Sequence, residues 1–294
     1  MRKIKVGARA VAVPSMALVV LGVATPAHAL IGGHPASQPY PGMASVQVAT
    51  PTDPDHHRCA ATVIDRRYLQ TNAHCVTRAD GSAMLPELFH VRIGSPDRTR
   101  GGIVRAVSAV LPHAAWDWAS GDDPVSDIAL LRLDRPVPLP PAGVARRLAH
   151  HPQTRLLGWG VTDPAATDIP VQLRELDTTI VAAEHCSGGA ITAGEICVAS
   201  PEGDAGPCYG DSGGPALQPV SARSSRWAVV ASTSRETAQD CSGGASLTDV
   251  TYYRHWIEQV IGIGTVPPRT DPGISSQASG ATPRALIWPV TPVA

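Results

Sequence analysis

Short apolar runs, rich in β-branched residues and separated by glycine and proline, occupy most of the chain between residues 30 and 250. In the run 89–93 apolar and polar residues alternate, which is typical of a strand with one buried face. The predicted strands are 59–64, 89–93, 103–107, 128–133, 155–159 and 227–232. Many short strands without helical periods between them predict an all-β sandwich or barrel, and the pattern does not distinguish the two.

A helical pattern occurs once, near residue 255. Apolar residues follow the spacing i, i+3, i+4, i+7 and i+8, at Tyr253, Trp256, Ile257, Val260 and Ile261. This spacing predicts an amphipathic helix, which Asp249 is placed to cap. From residue 263 to 294 proline, glycine, serine and threonine dominate, and we expect a flexible tail there.

The first 29 residues have the composition of a secretory signal peptide. A basic start precedes an apolar stretch from Ala10 to Ala24, and Ala27-His28-Ala29 follows. Pro14 interrupts the stretch, which is shorter than the roughly 20 residues of a membrane span. We therefore expect cleavage after Ala29 and a secreted, extracellular protein with no membrane contact afterwards. Removing this segment, which carries four basic and no acidic residues, changes the formal net charge from −1 to −5.

The composition and the cysteine content narrow the class of protein further. The hydrophobic content of 43% is ordinary for a globular protein, and the mildly acidic balance gives no indication of nucleic-acid or membrane binding. Six cysteines in an exported chain predict three disulfides, for which sequence alone allows fifteen pairings. The competing interpretation is a metal site, whose spacing matches no zinc pattern, made by His56, His57, Cys59, His74 and Cys75.

The run 210–215 carries the chemistry, because it places Ser212 between glycines and directly after the carboxylate of Asp211. A serine hydroxyl is a poor nucleophile unless a base removes its proton. His74, in the run 71–75, is a candidate base, and Asp127, at the start of the run 127–133, is a candidate to orient it.

These three segments, in the chain order His, Asp, Ser, resemble those of the trypsin/chymotrypsin family of serine peptidases over residues 30–261. The resemblance implies two packed antiparallel six-stranded β-barrels, divided near 135–145, with a C-terminal helix. The expected organisation is a signal peptide (1–29), a peptidase domain (30–262) and a tail (263–294). The fourth disulfide common in animal members is absent, which favours a secreted peptidase of the bacterial type.

The family implies a role for each matched residue. His74, Asp127 and Ser212 form the catalytic triad, and the amides of Gly210 and Ser212 form the oxyanion hole. The implied disulfides are Cys59–Cys75, Cys186–Cys197 and Cys208–Cys241. Activation requires a new terminal amine that pairs with the buried Asp211. Because the expected signal-peptidase bond precedes Leu30-Ile31-Gly32-Gly33, export alone would create that amine at Leu30.

The substrate pocket follows from the same resemblance. Gly206 forms its base, Ser234 and Ala245 form its walls, and Ser232 matches the serine that hydrogen-bonds the triad aspartate. Thr233 then stands where a tryptophan is usual. This pocket is neutral and fairly small, which favours a small or medium apolar side chain before the cut bond. Asp204 is the alternative source of a pocket carboxylate, which would favour basic side chains.

The predicted function is that of a secreted serine endopeptidase, which hydrolyses peptide bonds through an acyl-enzyme without cofactor or metal. Expected partners are protein or peptide substrates and proteinaceous inhibitors, and we expect a monomer. Two alternatives stay open: a catalytically silent binding protein on the same fold, and an esterase or other acyl hydrolase that uses the same machinery.

Overall fold

The computed structural model describes residues 30–118, 125–149, 153–166, 168–203, 205–221, 224 and 226–265. The predicted signal peptide (1–29), the part of the predicted tail (263–294) that follows Thr265, and Asp204 lie outside these residues. In chain order the elements are β1 (His34–Pro35), β2 (Met43–Val48), β3 (His57–Asp65), β4 (Tyr68–Thr71), β5 (Phe89–Ile93), β6 (Ile103–Pro112), β7 (Ala129–Leu133), β8 (Gly143–Val144), β9 (Gln153–Gly158), β10 (Arg174–Val181), β11 (Glu195–Val198), β12 (Pro215–Pro219), β13 (Trp227–Glu236), β14 (Ala245–Asp249) and α1 (Arg254–Thr265).

Two closed antiparallel barrels of six strands each make up the fold, as predicted. The first follows the order β2-β3-β4-β7-β6-β5 around the ring. In the second, β9 pairs with both β10 and β12 and so closes the ring β10-β11-β14-β13-β12-β9. Closure leaves no unpaired strand edge within either ring. Each barrel has its own apolar core, which includes Val63 and Leu131 in the first and Val230 and Leu247 in the second.

All six predicted strands are present; β6 continues five residues beyond its predicted end, to Pro112, and the difference that affects the candidate site lies in β13. The predicted strand ends at Ser232, but β13 continues to Glu236, and an irregularity between Thr233 and Arg235 shifts its pairing with β14. The last five residues are polar and gave no apolar signal. Ser232, Thr233 and Ser234 are nevertheless buried, because the strand passes through the interior beside the candidate site.

The three disulfides have the pairing that the resemblance implies: Cys59–Cys75, Cys186–Cys197 and Cys208–Cys241. The first joins β3 to the one-turn helix that carries His74. Cys59, His74 and Cys75 are also close enough together to suggest a metal site. Both sulfurs are, however, consumed in the disulfide, and a metal would need them as thiolates.

The predicted helix is present as α1, and Asp249 caps the turn that precedes it. Oδ1 of Asp249 accepts hydrogen bonds from the amides of Thr251 at 2.8 Å and Tyr252 at 3.2 Å. Tyr253, the first residue of the predicted stripe, lies in this turn, so the helix itself begins at Arg254. Among the described helices, none has the length and apolar character that crossing a membrane requires.

Candidate active site

The pairing of two strands brings His74 and Asp127 together. His74 lies in a one-turn helix (Ala73–Cys75) just after β4, and Asp127 lies just before β7. Thr71 of β4 is paired with Ala129 of β7, so the end of one strand meets the start of the other. Nδ1 of His74 is 2.8 Å from Oδ2 of Asp127, and the His74 amide donates to Oδ1 at 2.9 Å.

Two further side chains donate to Oδ2 of Asp127. The Ser234 hydroxyl does so at 2.6 Å, and Nδ2 of Asn72 does so at 2.8 Å. The Thr248 hydroxyl donates to the main-chain oxygen of Asp127 at 2.9 Å. Since Ser234 and Thr248 belong to β13 and β14, the second barrel fixes a carboxylate that the first barrel supplies.

His74 and Asp127 each stabilise the charged form of the other. Burial by itself would raise the pKa of Asp127, but the imidazole of His74 and the donors around the carboxylate outweigh it, so this pKa lies below its usual range. Burial likewise lowers the pKa of His74, but the charge and the hydrogen bond of Asp127 are stronger, and this pKa is raised. A hydrogen bond from Nδ1–H to Asp127 leaves Nε2 of the neutral ring as a proton acceptor.

The expected position of the aspartate-binding serine was wrong by two residues. Ser232 does not contact Asp127; its hydroxyl accepts a hydrogen bond from Nε2 of Gln70 at 2.9 Å. Ser234, expected as a pocket wall, makes that contact instead. The sequence did not show that β13 continues beyond Ser232 or that its pairing shifts after Thr233. The residue that follows the aspartate-binding serine is consequently Arg235.

The turn that carries Ser212 lies between the two barrels. The Ser212 carbonyl accepts a hydrogen bond from the amide of Ala60 in β3 at 2.8 Å, and the Gly213 amide donates to Thr233 of β13 at 2.9 Å. Ala60 follows Cys59, whose disulfide partner Cys75 follows His74. The disulfide and the Ala60 hydrogen bond therefore bring the serine turn to the histidine.

The Ser212 hydroxyl itself makes no hydrogen bond within the described part of the chain, to His74 or to any other group. Nε2 of His74 is 3.6 Å from Sγ of Cys75. Catalytic hydrogen bonds in substrate-free enzymes are often long and tighten only when substrate binds. The structure thus shows the histidine–aspartate pair joined by hydrogen bonds, with the serine turn beside it. No hydrogen bond joins the Ser212 hydroxyl to His74 in the described part of the chain.

The glycine after Ser212 is required by its surroundings. Gly213 has φ +77, and a Cβ there would lie 2.2 Å from the carbonyl oxygen of Ala60 and 2.4 Å from the Thr71 hydroxyl. Both the backbone angle and the space exclude a side chain. The close approach of this turn to β3, which holds Ser212 in place, therefore depends on the glycine.

Two amides of the same turn are free to bind an anion. Those of Gly210 and Ser212 donate to no acceptor among the described residues. Nε2 of His57 is 3.0 Å from the Gly210 carbonyl, and the Ser45 hydroxyl is 2.7 Å from Nδ1 of His57. Burial lowers the pKa of His57 to about 4, so at neutral pH its uncharged ring holds this peptide in place. The sequence indicated His57 only as a possible metal ligand, so its hydrogen bond to the Gly210 carbonyl was not predicted.

Asp211 is fully buried behind Ser212. Its carboxylate accepts hydrogen bonds from the amides of Gly160 at 2.8 Å and Cys208 at 3.0 Å. No described cationic side chain forms an ion pair with it, and burial raises its pKa to about 7. Leu30 is also buried, and Ile31 accepts a hydrogen bond from the Gly206 amide at 3.0 Å.

The floor and wall expected for the substrate pocket, Gly206 and Ala245, are buried and neutral. One neighbour of the site was not anticipated. The half-exposed ring of Trp118 lies 5.5 Å from the ring of His74, and the guanidinium of Arg235 lies 5.8 Å from Trp118 on its face. No periodic apolar pattern surrounds this tryptophan, so its contact with His74 could not be predicted from local sequence.

A barrel pair with a partly exposed histidine held by a buried aspartate beside a serine turn defines a class of hydrolases, and the comparisons agree with it. Residues 30–257 match the family model described as Trypsin. The chain therefore belongs to the trypsin family of serine peptidases. It is 30% identical to transmembrane protease serine 11C of Mus musculus over 80% of this chain and 54% of that protein. It is 28% identical to serine protease 41 of Homo sapiens over 83% and 80%, and 30% identical to trypsin alpha of Drosophila melanogaster over 54% and 62%.

Some of these matches cover only part of the relative's length. The chain spans little more than half the length of the mouse protein. All three relatives are animal proteins, so the comparisons do not support the bacterial type that the missing disulfide suggested.

Proposed function

We propose that the chain is a secreted serine endopeptidase with Ser212 as nucleophile, His74 as general base and acid, and Asp127 as the group that orients the imidazole. The observation that carries this proposal is the doubly hydrogen-bonded pair of His74 and Asp127, which leaves Nε2 as the proton acceptor. The free amides of Gly210 and Ser212 support an oxyanion site in the same turn.

The reaction follows from these positions. Oγ of Ser212 attacks the carbonyl carbon of the scissile bond while its proton passes to Nε2 of His74, and the negative oxygen is received by the amides of Gly210 and Ser212. Nε2 then gives the proton to the leaving amine as the C–N bond breaks, and the acyl group remains on Ser212 as an ester. Water attacks this ester, loses a proton to His74 and releases the acid, which restores the Ser212 hydroxyl.

Labelling and turnover test this function. The secreted chain is expected to react with a fluorophosphonate at Ser212, located by peptide mass, and to cleave a peptide substrate. Ser212→Ala is expected to abolish labelling and to lower kcat by roughly a millionfold, whereas Ser108→Ala, a change of the same size on the exposed face of β6, leaves both unchanged. Labelling without hydrolysis of any peptide or ester contradicts an enzyme, and hydrolysis of esters alone favours the acyl hydrolase.

The amine created by cleavage before Leu30 is proposed to activate the enzyme by pairing with Asp211. The support is a fully buried carboxylate without a cationic partner among the described side chains, and a buried Leu30 whose neighbour Ile31 is paired with Gly206. Terminal sequencing of the secreted protein tests this step. A first residue other than Leu30 contradicts activation by export alone, while Asp211→Asn in a chain that begins at Leu30 is expected to remove activity.

A preference for a small or medium apolar residue before the cut bond is supported only by Gly206 and Ala245. These residues supply no charge, so selectivity for a charged substrate requires a neighbouring side chain. The proposed substrates are proteins or peptides, cleaved by a monomer that proteinaceous inhibitors can block.

A further inference from the structure

The last residue of β13, Glu236, was assigned no role by the sequence. It lies two residues after Ser234, whose hydroxyl binds Asp127, and it is paired with Ala245 of β14. Directly opposed residues of an antiparallel pair carry their side chains on the same face. Glu236 therefore shares a face with the proposed pocket wall, Ala245.

The neighbour of Glu236 points the other way. Arg235 binds the carboxylate of Glu195, with Nη2 at 3.0 Å from Oε2, and lies over Trp118. Successive side chains of a strand point to opposite sides. The side chain of Glu236 therefore lies on the face of β13 opposite to that of Arg235, where its paired neighbour is Ala245 of β14.

The electrostatic influence of Glu236 reaches two residues of the candidate site. Its charge contributes to raising the pKa of His74 and, to a smaller extent than burial does, that of Asp211. Because the influence of a charge falls with distance, Glu236 lies in the neighbourhood of both groups.

Glu236 has no ion-pair partner among the described side chains. It is partly buried, and burial raises its pKa more than a hydrogen bond from its own amide and the nearby His74 lower it. No described lysine, arginine or histidine forms an ion pair with it, since the adjacent Arg235 binds Glu195. Desolvation of a carboxylate is costly unless a cation or several donors meet it. A ligand that brings positive charge would remove this cost.

Two carbonyl oxygens lie near Gly206, the proposed floor of the substrate pocket. A Cβ on Gly206 would lie 3.6 Å from the carbonyl oxygen of Gly243 and 3.7 Å from that of Cys241. Within the described residues neither oxygen accepts a hydrogen bond. Carbonyls and a carboxylate only accept, whereas arginine and lysine side chains only donate.

We infer that Glu236 determines substrate specificity and that the peptidase cleaves after arginine or lysine. This inference rests on the proposed function and replaces the apolar preference that the neutral Gly206 and Ala245 by themselves would give. In this proposal the carboxylate of Glu236 lies beside Ala245 on the same wall of the pocket, while the carbonyl oxygens of Gly243 and Cys241 meet the remaining donors of the basic group.

Four peptide substrates that differ only in having arginine, lysine, alanine or leucine before the cut bond test the inference. The secreted enzyme is expected to give the highest kcat/KM for arginine and lysine. Glu236→Gln is expected to lower these two values by roughly 10- to 100-fold and to leave those for alanine and leucine nearly unchanged. Benzamidine, a small aromatic amidinium, is expected to inhibit competitively and to lose affinity in the same variant.

Glu184→Gln is the matched control, because it removes one negative charge at an exposed position between β10 and β11 and should alter none of these values. Faster cleavage after alanine or leucine in the native enzyme overturns the inference, as does an equal loss on all four substrates in Glu236→Gln. Fluorophosphonate labelling of Ser212 separates the two proposals, since it requires the nucleophile but no particular side chain before the cut bond. If Glu236→Gln fails to fold and is not labelled, the substrate ratio and the benzamidine affinity of the native enzyme decide.

Discussion

The hydroxyl of Ser234 donates to Oδ2 of Asp127 at 2.6 Å, from one barrel to the other. Oδ2 is also the oxygen that meets Nδ1 of His74. The orientation of the imidazole in the first barrel thus depends on a side chain of the second. Any change that displaces β13 should be felt at His74, although β13 does not contact it through a hydrogen bond.

The Ser234 contact predicts different outcomes for two neighbouring serines. Ser234→Ala removes a donor to a buried carboxylate, and we expect kcat/KM to fall about tenfold. Ser232→Ala removes only the partner of Gln70, and we expect activity within about twofold of the native enzyme. Steady-state kinetics of both variants on one peptide, with circular dichroism to verify folding, makes the comparison. A larger loss in Ser232→Ala would contradict the assignment of Ser234.

The pH profile should depend on the charge of Asp127. Because Asp127 raises the pKa of His74 and the imidazole must be neutral to accept a proton, kcat/KM should fall as the pH falls through a value above 6.5. Asp127→Asn removes this charge and leaves burial, so the acid limb should move to lower pH and the plateau should fall by about 10⁴-fold.

Asp55→Asn is the control for this pH profile. It disrupts another aspartate–histidine pair, between Asp55 and His90 at 2.9 Å, away from the site. Its profile should match the native one. An acid limb that stays in place in Asp127→Asn would show that a group other than His74 is titrating.

Glycine is required at position 213 both by the backbone angle φ and by the lack of room for a Cβ, and the two effects can be measured separately. Gly81 has the same φ of +77, but nothing lies within 4 Å of a Cβ there, whereas at Gly213 the carbonyl oxygen of Ala60 lies 2.2 Å away. We expect Gly81→Ala to cost about 1–2 kcal/mol of unfolding free energy, for the backbone angle alone. Gly213→Ala should cost several kcal/mol more, measured by urea denaturation. Equal losses would contradict the contact with β3.

The uncut chain should lose stability as the pH rises. In the folded state the pKa of Asp211 is about 7, above its ordinary value of 3.8, so folding favours the protonated form. The unfolding free energy of a chain that retains residues before Leu30 should therefore fall between about pH 4 and pH 7, by at most about 4 kcal/mol.

Two comparisons isolate the contribution of Asp211. Asp211→Asn should remove this part of the decline from the uncut chain, and a chain that begins at Leu30 should not show it if the new amine pairs with the carboxylate. Urea denaturation at several pH values measures the difference. A decline that is identical in the uncut chain and in Asp211→Asn would show that Asp211 is not the titrating group.

Local sequence was sufficient for much of the fold. The alternation in Phe89–Ile93 predicts β5 without error, because one face of the strand is buried and the other is not. The stripe from Tyr253 to Ile261 predicts α1 with an error of one residue at its start, whereas its end at Thr265 lies within the predicted tail (263–294). β13 was predicted only in part, since its last residues are polar and are buried only because a second barrel surrounds them.

The sequence by itself determined the strand-rich class, the terminal helix and the three chemical groups of the candidate site, because strand periods and the run around Ser212 are properties of adjacent residues. Only the tertiary structure decided that Ser234 rather than Ser232 meets Asp127, that His57 binds the Gly210 carbonyl, and that Glu236 is paired with Ala245. The first two contacts join residues that are far apart in the chain. Their geometry depends on strand pairing and on a shift of pairing within β13, which no local pattern encodes.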